Sequence, residues 1–576
     1  MKIIIKYLLI WMIPVALLLS SLYTNASPNE KYIKTDIENL AFKQEINIPI
    51  ATSLPEAKYQ PVDINVEFIN PCWAKDEKTH SVRVGYDNGS GLTEIESQIY
   101  NLEHSDDTHI TSCSLIFLIP EAANGKEKYY VLYDESETKS SEYKDHVVIE
   151  DTHYFYEPIS GQKIDFDYYK LTDDGYVVYM VIQKGELLGN PVSQSVGKFK
   201  PGSTEVETYN LDQLGSFDMR YGVYEEPGYD GTSCATEISK SVIVDGNLMA
   251  RMRIEGFSPK GDIKTDNIYT YYYCPGEIKR IIVNAYHEVF ETINIEDPEA
   301  YDGSYASVTS IKSRSATIEK MNAGEILPTI VFYDENDNIK KYDVPINPES
   351  QKKEYVLSTN DDADLGKKAW VCLNDPSAGK AHGLILESNT GINEKEDGVQ
   401  IKAFAKQNVK LPGLEVDTAS LFLQRNTYEK GGKQNTIIPQ GFTATYIIEL
   451  ITVEKEGYQR IDKESELFQQ LIKQIPVQRE NASKNEKESI ERFSLTTYVH
   501  FAPSIPLGSL LSAALGKNLS YIDAELYKEQ SFKSSGTASR LSLGSMELDL
   551  KGKKIIQQIK TIISSYQIPC FNTDSQ

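Results

Sequence analysis

The chain has 576 residues, too many for one hydrophobic core, and usual domain sizes divide it into about three or four folded units. Hydrophobic residues make up 40% and charged residues 25%, ordinary globular proportions that exclude wholesale disorder and a multi-span membrane protein. With 59 basic against 84 acidic residues the formal charge is -25, which repels phosphate backbones and excludes nucleic acid as a natural partner.

At the N-terminus Lys2 and Lys6 flank the start of an apolar run, Tyr7 to Leu19, broken by Pro14 and followed by the polar stretch Ser20 to Ser27. This is the plan of a secretory signal, with Thr24-Asn25-Ala26 as a small-residue cleavage site. The longer stretch Ile3 to Leu19 is almost long enough to span a bilayer and remain as an uncleaved anchor. Both readings export the chain, so it is expected at the cell surface or outside the cell, touching the membrane only through residues 1–26. Residues 27–58 are polar and aperiodic and read as a tether.

Short strand patterns then begin. Val82 to Tyr86 and Thr93 to Tyr100 flank the turn-rich Asp87-Asn88-Gly89-Ser90-Gly91, and Leu115 to Ile119 and Tyr129 to Asp134 follow, which predicts a small β-sandwich over 59–150. From Asp151 the strands lengthen. Ile164 to Leu171 and Tyr176 to Gln183 are joined across Thr172-Asp173-Asp174-Gly175. Ser239 to Ile295 then holds four strands in succession, punctuated by Asp245-Gly246, by Ser258-Pro259-Lys260-Gly261-Asp262 and by Cys274-Pro275-Gly276-Glu277. Further pairs are expected between Thr329–Tyr333 and Ile339–Val344, and between Ala419–Arg425 and Phe442–Val453. Leu467, Leu471 and Ile475 recur at helical spacing before Pro476, giving a short helix over Lys463–Gln474 at the head of a charged linker, 463–492. Strand patterns return in a small C-terminal domain, 493–576, which looks short for a closed sandwich. The fold class is therefore mainly β: antiparallel sandwiches around a large long-stranded centre, 151–462, with a short helical linker.

That long-stranded centre, above all the meander Ser239 to Ile295, resembles the β-supersandwich of galactose-mutarotase-like proteins and of several polysaccharide lyases. The stretch Asn518-Leu519-Ser520-Tyr521-Ile522-Asp523-Ala524-Glu525-Leu526-Tyr527 is similar to the start of a small regulatory-type β-sandwich of exported proteins. Both are resemblances of architecture, and fold does not fix function.

No G-x-S-x-G, P-loop, G-x-G-x-x-G or H-E-x-x-H occurs, so hydrolase-elbow, nucleotide and zinc-protease readings drop out. No cofactor is called for. Calcium has two oxygen-rich loops to consider, Asp334/Asn336/Asn338, where Ile339 stands in place of the needed Gly, and Asn360/Asp362/Asp364; hairpin tips explain both equally well. Strand parity gives the richest constellation. With the turns as placed, antiparallel pairing sets Arg251 beside Tyr269 and Asn284, and Arg253 beside Asn267 and Tyr286, with Glu288 on the same face. A uronate polymer needs a cation against its carboxylate and a Tyr or His to move protons, so Arg251, Arg253, Tyr269, Tyr286 and His382 are the candidate catalytic residues. Asn267, Asn284, Glu288 and Arg314 are candidate sugar contacts. A half-exposed sheet face shows the same alternation without any ligand, and a one-residue slip would dissolve the patch. His287, on the apolar parity, reads as a core histidine. Cys72 with Cys113 and Cys234 with Cys274 are candidate disulfides, although spacing does not fix connectivity. The expectation is an exported protein that binds or processes a polysaccharide or cell-surface glycan, against a non-catalytic envelope or adhesion scaffold.

Overall fold

The computed structural model describes residues 37–472, with breaks at 160–161, 188–189, 200, 205–210, 221–235, 259–260, 295–307, 320–326, 328, 335, 344–351, 358–364, 388–398, 412–413, 427–428, 431–432 and 435–436. The export segment, Cys234, Cys570, the Asn360–Asp364 loop and the C-terminal domain lie outside them. Among the described residues the protein is mainly β and antiparallel, and no helix is long and apolar enough to cross a membrane. Two compact units divide the chain after Tyr143.

In the first unit, β1 (Phe42–Ile46), β7 (Lys128–Tyr133), β3 (Arg83–Asp87) and β4 (Leu92–Ile95) form one sheet in that order, and β2 (Pro61–Trp73), β6 (His109–Leu118) and β5 (Ser97–Asp106) form another. Val62, Val84, Leu115, Phe117 and Val131 are fully buried. The run Thr93 to Tyr100, expected as one strand, divides at Glu96 between the two sheets. A chain that changes sheet at a sandwich corner must break its ladder there. Glu94, at the end of β4, is buried with Arg83 (Nε to Oε1 3.5 Å) and accepts the Tyr143 hydroxyl at 2.5 Å.

The second unit has two nine-stranded sheets. The first runs β21 (Lys352–Leu357), β24 (Val399–Leu411), β25 (Leu414–Asn426), β18 (Val308–Glu319), β12 (Leu211–Arg220), β11 (Asn190–Phe199), β10 (Tyr176–Leu187), β9 (Gln162–Asp173), β8 (Val147–Ile159). The second runs β13 (Thr236–Asp245), β14 (Met249–Phe257), β15 (Ile263–Tyr272), β16 (Lys279–Val289), β29 (Thr443–Val453), β23 (Lys380–Leu386), β22 (Trp370–Asp375), β19 (Thr329–Tyr333), β20 (Ile339–Asp343). Two-residue pairs complete the set: β17 (Ile293–Asn294) with β28 (Ile437–Ile438), and β26 (Glu429–Lys430) with β27 (Lys433–Gln434). The β9–β10 turn works because Asp174 and Gly175 both take positive φ, 49° and 88°, matching the twist of the flanking strands. The expected pairing of Ala419–Arg425 with Phe442–Val453 does not occur. β25 lies between β24 and β18, and β29 lies between β16 and β23 in the other sheet.

A helix, α1 (Tyr458–Leu471), begins before the Lys463 of the sequence reading and lies on the second sheet. Gly457 has no side chain to cap it, and the amide of Tyr458 donates instead to Asn374 Oδ1 of β22 at 3.0 Å. The helix packs closely over Gly383, where a Cβ would sit 2.7 Å from Ile461 Cδ1 and displace that side chain. Trp370, fully buried, donates its indole N–H to Asp462 at 3.0 Å.

Candidate functional site

The face proposed from sequence is present in part, because the register differs from the expected one by a residue at each of two turns. Ser258 and Ile263 close the first turn, with the Ser258 amide donating to the Ile263 carbonyl and the Ile263 amide to Ser258 Oγ at 3.0 Å. This sets Arg251 opposite Thr270 and Arg253 opposite Ile268, not Tyr269 and Asn267. The second slip, between β15 and β16, sets Ile268 opposite Asn284 and Asp266 opposite Tyr286. Two slips invert the middle strand and restore the outer one. Arg251, Arg253, Asn284, Tyr286 and Glu288 therefore share one face, while Asn267 and Tyr269 lie on the other.

On the shared face every named polar group has a protein partner. Arg253 clamps Asp266 in a bidentate pair, Nε to Oδ1 2.8 Å and Nη2 to Oδ2 2.7 Å. It also reaches Glu255 Oε1 at 3.3 Å, which Lys264 Nζ approaches at 3.0 Å, and the Ser239 hydroxyl donates to Glu255 Oε2. Burial raises the Glu255 pKa, but the Ser239 hydroxyl, Lys264 and Arg253 together outweigh it and hold the carboxyl below its ordinary range. Tyr286 donates to Glu288 Oε2 at 3.0 Å, and Arg251, only 6% exposed, donates from Nε to Thr270 Oγ1 at 3.1 Å.

The opposite face is the interior between the sheets. Asn267 Nδ2 donates to Gln194 Oε1 at 2.6 Å, and the Tyr269 hydroxyl to the Gln194 carbonyl at 3.1 Å. The Tyr271 hydroxyl donates to Asp173, which Lys279 Nζ approaches at 2.8 Å, and burial with this carboxylate drives the phenol pKa far up. Beside them Asp174 takes the Tyr273 hydroxyl at 2.7 Å and His146 Nδ1 at 2.8 Å. Burial raises its carboxyl, yet Lys144, Tyr273 and His146 bring it down to about 2. His382, a candidate catalytic residue, is buried on β23 opposite Thr452 and Leu373, with no route to Arg253 across the sheet. Arg314 lies on β18 of the other sheet, opposite Leu214 and Ser420 in register. His287 is fully buried, its Nε2 3.4 Å from the Tyr446 hydroxyl, a core histidine as read.

The proposed Cys72–Cys113 bridge is not formed; Cys72, Cys113 and Cys274 are free, buried thiols. Cys72 pairs in register with Ile110 and Cys113 with Val66, so about 10 Å of strand separates the two, beyond the span a disulfide closes. Burial pushes the Cys72 thiol up to about 12, against a hydrogen bond with Ser81, and burial, reinforced by Cys72, raises the Cys113 thiol well above its ordinary value. Peptide-mapped alkylation is expected to label both only after denaturation; a tryptic fragment carrying them joined would contradict this. In the β19–β20 hairpin, Asp334 Oδ1 accepts the amides of Asn336 and Asn338 at 3.0 and 2.7 Å, and Lys340 lies 3.4 Å from Oδ2. That carboxylate organises its own turn.

A second charged cluster lies under α1 and had no signal in the sequence. Arg280 Nη1 donates to Glu464 Oε2 at 2.9 Å, Arg460 donates to Oε1 of the same carboxylate, and Glu449 Oε1 is 3.8 Å from Arg280 Nε. Asp266, Ser239 and Lys264 were missed for a different reason: their parity becomes readable only once the turn is set.

No family model matches the chain, and no curated protein matches its sequence. Among solved structures it is similar to the galactosidase domain of the α-galactosidase–sucrose kinase AgaSK (11% identity, 54% of this chain and 40% of that one, TM-score 0.23). It is likewise similar to Slr1438 from Synechocystis sp. PCC 6803 (8% identity, 53% and 97%, TM-score 0.26). A galactose mutarotase related enzyme from Lactobacillus acidophilus aligns at 8% identity over 53% and 99%, with a TM-score of 0.26. The chain thus spans 40% of the length of the first of these.

Proposed function

We propose that this is an exported protein that binds carbohydrate through its long-stranded sandwich and does not cleave it. The segment Lys2 to Ala26 supports export. The single observation behind binding is the Ser239–Glu255–Arg253 array with the Tyr286–Glu288 pair, partly exposed donors and acceptors held in place by the buried Asp266 and Lys264. Sugar hydroxyls both donate and accept, and they are held best by groups that need no reordering on binding. Lytic action has less support. An eliminating enzyme holds a uronate carboxylate with a cation, but the Arg253 guanidinium is already matched by Asp266 and the Tyr286 hydroxyl already donates to Glu288.

The test is calorimetry of the purified chain against a panel of neutral and uronate polysaccharides, with absorbance followed for unsaturated uronides. Saturable heat with flat absorbance is expected. Rising absorbance would restore the lyase reading, and no heat with any glycan would favour the adhesion or envelope scaffold.

A further inference from the structure

We propose that the β8–β9 edge of the first sheet carries a separate saccharide patch, with Phe155 as a stacking platform and His153, Asp165 and Asp167 as its polar rim. It rests on the carbohydrate reading and adds a location and a ligand class, neutral pyranosides. Odd-numbered residues of β9 face the second sheet: Asp173 meets Tyr271, while Leu171 and Tyr169 are 0% and 2% exposed. Further along the same face the cover ends. The side chains of Asp167 and Asp165 are 35% and 31% exposed, and Phe155, opposite Asp165 in register, is 55% exposed.

His153 fixes the rim, with Nδ1 2.9 Å from Asp167 Oδ1 and Nε2 3.0 Å from Asp165 Oδ1. Each carboxylate is balanced, Asp167 by Lys184 at 3.6 Å and Asp165 by Lys163 at 3.7 Å. With Glu186 opposite Asp165 in register as well, the rim carries no excess of positive charge, and a uronate or phosphate gains little from it. A pyranose suits it, because one side of the ring is apolar C–H surface for the phenyl and the edge carries hydroxyls for the carboxylates.

The experiment is hydroxyl-radical footprinting of the full chain with neutral gluco-, manno- and galacto-hexasaccharides, alongside calorimetry of wild type and Phe155→Ala. Expected are a several-fold drop in Phe155 oxidation at saturation and, in Phe155→Ala, one binding site fewer with an unchanged circular dichroism spectrum. Saccharide heat with Phe155 oxidation unchanged would overturn the patch and leave the carbohydrate reading standing. No heat from any neutral or acidic saccharide would overturn both, and protection by a uronate oligomer alone would overturn the ligand class.

Discussion

Replacing Glu449 with glutamine is expected to remove a large alkaline loss of stability from the sandwich unit. Glu449 is 1% exposed and stands between Arg280 and α1; burial, reinforced by Glu464, pushes its carboxyl up to about 8 against the pull of Arg280 and Arg460. Cys274 lies beside Arg280, and the buried phenols of Tyr179 and Tyr271 are further ionisable groups within reach of these charges. Between the ordinary carboxyl value of 4.5 and about 8 the folded state keeps a proton that the unfolded state has lost. Stability therefore falls as pH rises through that window, by on the order of 3 kcal/mol at pH 7. Glutamine cannot ionise and abolishes the slope. Trp370, hydrogen-bonded to α1, reports the transition, and urea midpoints in a Trp73→Phe background from pH 5 to 8 measure it. Parallel curves for wild type and Glu449→Gln would rule this out.

His80 is expected to govern acid sensitivity in the first unit, with the opposite sign. It is 4% exposed, and burial, aided by Arg83, lowers its pKa to about 4. From 6.5 down to about 4 the unfolded chain takes up a proton that the folded one refuses, so stability drains as pH falls, again on the order of 3 kcal/mol. A His80→Asn variant should hold its Trp73-monitored midpoint between pH 7 and 4.5 in a Trp370→Phe background. An undiminished acid slope in that variant would place the sensitivity elsewhere.

What could be read from sequence follows from where the information lies. Alternation between Leu248 and Ile254, and turns such as Asp174-Gly175, are local signals, so the long antiparallel strands were visible. Register is set by turn geometry: whether Ser258 closes on Ile263 decides if Tyr269 faces solvent or core, and nothing in Ser-Pro-Lys-Gly-Asp states it. Partners from distant sequence were invisible for the same reason. Glu464 meets Arg280, and Asp173 meets Tyr271, only through packing. Tyr is present 37 times, and its abundance alone suits half-buried strand faces and sugar-contacting surfaces alike; Tyr179, Tyr269, Tyr271 and Tyr446 are fully buried, some with their hydroxyls on acceptors from the facing sheet.

The capping of α1 by Asn374 has a consequence for the order of assembly. Fourteen residues make a marginal helix alone, and this one lacks a local cap, so its first turn is completed only when β22 already stands beside it. The segment is thus a late arrival in folding, a lock fitted after the wall is raised, and changes confined to it will register mainly in how fast the finished protein comes apart.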